Sequence, residues 1–168
     1  IHAVARGADA AARAERELRE CEALAAPYGY GAHESSLAAA ALEALRGAGA
    51  TLAVAESCTG GLIGAMLTAV AGSSDCFLGG WISYANAMKE RELGVPAALL
   101  GAHGAVSSEV AGAMARGACQ RAGATLALSV TGIAGPGGAT ADKPVGTVWI
   151  GIFDARTGAA TARCFDFP

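Results

Sequence analysis

The sequence predicts an α/β protein, a three-layer α/β/α sandwich with a mixed sheet, and three observations carry that reading. The runs TLAVAES (Thr51–Ser57) and TLALSVTGI (Thr125–Ile133) are apolar without alternation over most of their length, as strands covered on both faces are. Segments with helical caps and glycine stops lie between the runs. The last two, GTVWIGIFD and TARCFDF, flank Arg156-Thr157-Gly158 and read as an antiparallel pair. Strands joined through helices and closed by a hairpin give helices on both faces of one sheet.

Taken in order, IHAVAR (Ile1–Arg6) reads as a strand. Ala8 to Ala25 reads as an amphipathic helix, with Leu18 and Leu24 inward. YGYG (Tyr28–Gly31) reads as a second short strand. This β-α-β fragment is too small to be stable alone, so residues 1–35 are read as the tail of a preceding small linking domain, with GAHESS as the junction. Ser36 then caps a helix that Gly47 and Gly49 stop. After the strand at Thr51–Ser57 comes a helix over Gly60–Val70, a strand WISYA (Trp81–Ala85), and a short helix Ala85–Leu93 ended by Gly94 and Pro96. A long helix capped by Ser107 or Ser108 follows, then the strand at Thr125–Ile133, a glycine-rich loop over Gly135–Pro144, and the hairpin. Residues 36–168 are thus one domain.

Composition narrows the function. A net charge of −3 and no Lys/Arg block exclude the basic footprint of a nucleic-acid groove or a membrane surface. Every apolar run is interrupted before a membrane span of roughly 20 residues. Five scattered cysteines, with no C-x-x-C pair, suit reduced thiols in a cytoplasm, and the three distant histidines offer no metal-ligand spacing. No metal or cofactor is therefore expected. The first residue is isoleucine and no leader pattern follows it, so the chain is read as starting inside a longer protein.

Three polar turns, the first and last of them rich in glycine, fall at strand ends, where ligands bind in such sheets: ESCTGG, SYANAMK and SVTGIAGPGG. In the first, capping alone explains Ser57 and Thr59 as residue types; the functional reading makes them, with Gly60 and Gly61, a turn whose free N–H groups take a phosphate. Cys58 there is a second candidate nucleophile, its thiol pKa open to lowering by a helix start. AGSSDCF offers hydroxyls that become nucleophilic only beside a base, and Lys89 is the candidate base. A lysine desolvated in this alanine-rich setting titrates nearer neutral pH, although an outward-facing lysine explains the residue as well. Thr131 and the glycines after it can aim donors at an oxyanion or phosphate. His103 is read as a loop residue bonding backbone.

Taken together, A-E-S-C-T-G-G, A-G-S-S, S-Y-x-N-x-x-K, H-G-A-V-S, S-V-T-G-I-A-G-P and K-P-V-G-T-V-W occur in the order of the CinA carboxy-terminal family, which the chain resembles over roughly Leu37 to Phe167. That resemblance implies hydrolysis of the amide of nicotinamide mononucleotide to nicotinate mononucleotide and ammonia (the PncC-like activity), without a metal, by a chain that forms homodimers. It assigns Ser74 as nucleophile, Lys89 as base, Tyr84 as an orienting or relaying hydroxyl and Thr131 as the strand-end hydroxyl at the oxyanion. Ser57 is the competing nucleophile. Substrate binding falls to Ser57, Thr59, Gly60, Gly61, Asn86, Gly132 and Gly135. The resemblance also implies that the chain is a piece of a full-length protein with an upstream domain. A Gly-Asp-Arg segment and a closing helix would follow Pro168. The alternative is a nucleotide-binding regulatory module that keeps the pocket without turnover.

Overall fold

A computed structural model describes residues 4–26, 29–30 and 36–167. The chain divides into two compact units, residues 1–40 and 41–168.

In the first unit the helix α1 spans Ala10–Ala25, buries none of its residues and carries an exposed Arg19–Glu15 ion pair at 3.6 Å. The flanking strands expected around it are not formed at Val4–Arg6 or Gly29–Tyr30, and their remaining positions lie outside the described residues. A strand exists through its ladder, and no described segment pairs with either one. The helix α2 (Leu37–Gly47) starts here, with the Ser36 hydroxyl accepting the Ala39 N–H at 3.1 Å, and runs across the unit boundary.

The second unit is built on five strands: β1 (Leu52–Glu56), β2 (Phe77–Ile82), β3 (Leu126–Gly132), β4 (Thr147–Asp154) and β5 (Ala159–Asp166). Their order is β2-β1-β3-β4-β5, with β1 parallel to both neighbours and β3-β4 and β4-β5 antiparallel, which makes the mixed sheet. Reciprocal bonds between Thr51 and Thr125 pin the start of β1 against the start of β3. Thr51 N–H donates to Thr125 Oγ1 at 2.8 Å, and Thr125 N–H donates to Thr51 Oγ1 at 3.0 Å.

Side-chain alternation assigns the layers. Ala53 and Ala55 of β1, Ala127 of β3 and Phe153 of β4 bury against the long helix α6, with Val110, Met114 and Ala118 among its core residues. The helices α4 (Asn86–Leu93) and α5 (Ala97–His103) pack beside α6 (Ser108–Ala122), whose cap is Ser107, accepting from Val110 N–H at 3.3 Å. On the opposite face, Glu56 reaches the helix α3 (Leu62–Thr68), and the Cys76 thiol donates to the Leu42 carbonyl of α2. Among the described residues no helix is long and apolar enough to cross a membrane.

Two element assignments differ from the sequence reading. The strand β2 starts at Phe77, four residues before the expected WISYA. Gly79 and Gly80 give no apolar signal there, and Gly80 is needed because a Cβ would stand 2.8 Å from the Val54 carbonyl oxygen of β1. Ser83–Ala85 is therefore the turn after the strand. The helix α5 occupies a stretch to which the sequence assigns no element; Pro96 forms its N-terminal boundary, and the one Pro96 carbonyl accepts from both the Leu99 and Leu100 N–H groups.

Candidate active site

Because β2, β1 and β3 lie side by side and parallel, the residues leaving their carboxyl ends meet: Ser83 and Tyr84 after β2, Ser57 and Cys58 after β1, Thr131 and Gly132 at the end of β3. Of these, Ser57, Cys58, Tyr84, Thr131 and Gly132 line a cleft of about 250 Å³ together with Lys89 and, from the turn after β3, Ile133, Ala134, Gly135, Gly137 and Gly138. A larger groove, about 400 Å³, runs between α6 and β5, and its one hydroxyl–carboxylate pair, Ser108 donating to Glu109 at 2.8 Å, is exposed rather than buried. The chemistry belongs to the smaller cleft.

Lys89 is its central group. One turn before Leu93, it shares that residue's buried face of α4 and is only 1 % exposed. Its Nζ donates to the carbonyls of Ser83 at 2.8 Å and Tyr84 at 2.9 Å, and lies 3.1 Å from Ser57 Oγ, itself buried. Burial pushes the lysine pKa down from its ordinary value, opposed by the nearby Cys58 thiol. A neutral amine has two N–H groups, matching the two carbonyls, and one lone pair, left facing the serine hydroxyl.

Ser74 is not part of this constellation. It is exposed, in the single 3-10 turn Ser73–Asp75 that precedes β2. Leu52 of β1 is in register with Phe77, so Ser74 lies at the amino ends of the strands and Ser57 at the carboxyl ends. A five-residue strand separates them by about 16 Å. The expectation that Ser74 stands within reach of Lys89 fails on that geometry, and Ser57 holds the place.

The ESCTGG turn also differs from both of its sequence readings. Neither Ser57 nor Thr59 caps α3; the cap residue is Gly61, without a side-chain bond. The Glu56 carboxylate fills that role from beneath, accepting from Gly61 N–H at 3.0 Å, Ile63 N–H at 3.1 Å and Gly64 N–H at 2.8 Å. These donors are therefore closed to a phosphate, and Thr59, Gly60 and Gly61 do not line the cleft. The sequence signal was a lone acid ending an apolar strand five to eight residues before helix-start amides. The N–H groups of Cys58 and Thr59 stay without a carbonyl or carboxylate acceptor among the described residues. Cys58 is half-buried, and desolvation raises its thiol pKa in spite of those two N–H groups, the reverse of the expected lowering.

The other candidates divide. The buried Thr131 hydroxyl donates to the Ala105 carbonyl at 2.9 Å, so its proton holds the loop before α6 and is not free for an oxyanion. Tyr84 lines the cleft with its side chain 70 % exposed, and its carbonyl receives Lys89. Asn86 is exposed on the first turn of α4, outside the lining. Gly132 and Gly135 both line the cleft; at Gly132 a Cβ would stand 2.9 Å from the Thr147 carbonyl oxygen and 3.1 Å from Cys58 Sγ. His103, at the end of α5, meets Glu109 through Nδ1 at 3.5 Å. No cluster of three or more His, Cys, Asp or Glu able to hold a metal occurs among the described residues.

Residues 34–168 match the family model described as the CinA C-terminal domain. A CinA-like protein of Chlorobium phaeovibrioides is 54 % identical over 136 residues, which is 81 % of this chain and 32 % of that protein. One of Parasynechococcus marenigrum is 52 % identical over 151 residues, 90 % and 35 % respectively. The chain thus spans about a third of the length of these curated relatives. Among solved structures, the competence/damage inducible protein CihA from Agrobacterium tumefaciens superposes with a TM-score of 0.75 at 42 % identity, covering 79 % of each chain. A CinA superfamily protein from Escherichia coli superposes with 0.74 at 32 % identity, covering 79 % of this chain and 76 % of that one.

Proposed function

This chain belongs to the CinA C-terminal domain family, and from that premise we propose that it hydrolyses the carboxamide of nicotinamide mononucleotide, with Ser57 as nucleophile and Lys89 as its base. The observation that carries this reading is the buried Lys89 Nζ, 3.1 Å from Ser57 Oγ at the floor of an open cleft.

Lys89, as a neutral amine, takes the Ser57 hydroxyl proton while Oγ forms a bond to the amide carbon. The carbonyl electrons move onto oxygen, and the N–H groups of Cys58 and Thr59, which have no backbone carbonyl acceptor among the described residues, receive the oxyanion. Collapse breaks the carbon–nitrogen bond, the proton on Lys89 passes to the leaving nitrogen, and ammonia departs from a Ser57 ester. Water, deprotonated by the same amine, then hydrolyses the ester to nicotinate mononucleotide and restores the serine. Hydrogen bonds to the Ser83 and Tyr84 carbonyls keep Nζ in place through both halves.

The test is incubation of the purified chain with nicotinamide mononucleotide, with ammonia read enzymatically and nicotinate mononucleotide by chromatography. Equal amounts of the two products are expected. Absence of both from the folded chain, or undiminished release by Lys89→Met, refutes the reading.

A further inference from the structure

Glu56 leaves the substrate's phosphate without the helix-start amides that would otherwise seat it, so the dianion needs another partner at the cleft. We infer that the glycine-rich turn Ala134–Gly138, together with Lys143 beside Gly104, is a seat for a phosphate monoester. The inference rests on the proposed nucleotide substrate and assigns its 5′-phosphate.

Three observations converge. The backbone N–H groups of Ala134, Gly135, Gly137 and Gly138 have no acceptor among the described residues, and all four residues line the cleft. Gly135 and Gly138 hold φ values of +74° and +88°, and left-handed residues within such a turn direct neighbouring N–H groups into a common concavity that suits an anion.

Second, no Asp or Glu lines the cleft, although the chain as a whole is net acidic. A dianion entering there meets no like charge on the wall.

Third, a cation stands beside the segment that leads into one wall of the cleft. The chain has only two lysines, Lys89 and Lys143. Lys143 Nζ donates to the His103 carbonyl at 2.8 Å and forms no ion pair among the described residues. It stands 3.6 Å from the place a side chain would begin at Gly104, whose neighbours Ala105 and Val106 line the cleft. Glu109, which feels its charge, is already bonded to the Ser108 hydroxyl at 2.8 Å and lies 3.5 Å from His103 Nδ1. An ammonium that gives up one neutral carbonyl for a phosphate oxygen gains a charge-assisted bond.

The probe is ribose 5-phosphate, whose binding needs no turnover, with ribose as the control, measured by calorimetry on the chain, Lys143→Met and Lys143→Arg. Loss of the charge-assisted bond is expected to weaken ribose 5-phosphate binding about tenfold to a hundredfold in Lys143→Met, with Arg recovering most of it. The preference for nicotinamide mononucleotide over nicotinamide riboside in kcat/KM should shrink by the same factor. Unchanged ribose 5-phosphate affinity in Lys143→Met, or an unchanged preference between the two substrates, overturns the inference. If neither substrate is hydrolysed, the amidase reading fails, while the calorimetric difference still decides whether the phosphate seat exists.

Discussion

Replacing Ser57 by Ala removes one oxygen from a buried network and tests the assignment of the nucleophile directly. In the folded protein, Lys89 Nζ keeps its two carbonyl acceptors, so the loss is a single hydrogen bond, costing about 0.5–1.5 kcal/mol. The variant therefore folds, and a loss of activity reports on chemistry. A positioned base contributes about 10²–10⁴ to the rate, and without the nucleophile that base has nothing to act on, so kcat should fall about a thousandfold or more. Lys89→Met should fall as far, and the double variant little further, because residues acting as one unit are not additive. Ser74→Ala, an exposed position whose hydroxyl makes no hydrogen bond among the described residues, should change stability by less than about 0.5 kcal/mol and leave turnover intact. The assay is single-turnover ammonia release, with thermal unfolding of each variant as the control. Near-normal turnover in Ser57→Ala, or abolished turnover in Ser74→Ala, refutes the argument.

Two further outcomes follow from the buried charges. Glu56→Gln keeps one acceptor oxygen but presents an NH₂ group to α3 amides that also donate; stability should drop by about 1–3 kcal/mol, and kcat should fall as the Ser57–Thr59 turn loosens. An unchanged denaturation midpoint and rate would show that the carboxylate does not hold the turn. Lys89, with its pKa lowered by burial, gives up its proton in the fold at lower pH than in the unfolded chain, where it titrates near 10.5. Between those two values the unfolded chain binds more protons, so stability relative to Lys89→Met should rise with pH through that window, the penalty being full below it. Urea midpoints of both proteins across the alkaline range measure the difference; a wild-type midpoint that falls relative to that of Lys89→Met as pH rises contradicts the burial argument.

Much of the fold was legible because its strands are long enough to carry a signal. Leu52 to Ala55 in β1 and Leu126 to Leu128 in β3 are apolar without alternation, and the β4-β5 hairpin forms around Gly158 at φ +70°. The glycines of β2 and the proline before α5 hid the elements they belong to, since neither residue type adds to a periodic apolar pattern. At the site, the sequence marked out the three turns and Lys89, but not which hydroxyl meets the amine. Ser74 is nearer to Lys89 along the chain, fifteen residues against thirty-two, and only the parallel register of β1 with β2 shows that the nearer serine sits at the wrong end of the sheet. Chain separation carries no information about that choice.

The same alternation that builds the sheet keeps the base usable. Glu56 precedes Ser57 directly, and a carboxylate beside Nζ would hold the lysine as an ammonium with no lone pair to offer. Successive residues of a strand face opposite sides, so Ala55 points to the α6 layer while Glu56 points to α3 and spends its charge on three amides there. The ion pairs of the described residues accordingly leave Lys89 out, and its partners are two carbonyls and a hydroxyl. One layer of backbone thus separates the acid from the base. A shift of one residue in β1 would turn the carboxylate toward the cleft, remove the cap from α3 and protonate the amine in a single step, which ties the pairing register of this short strand to the chemistry at its end.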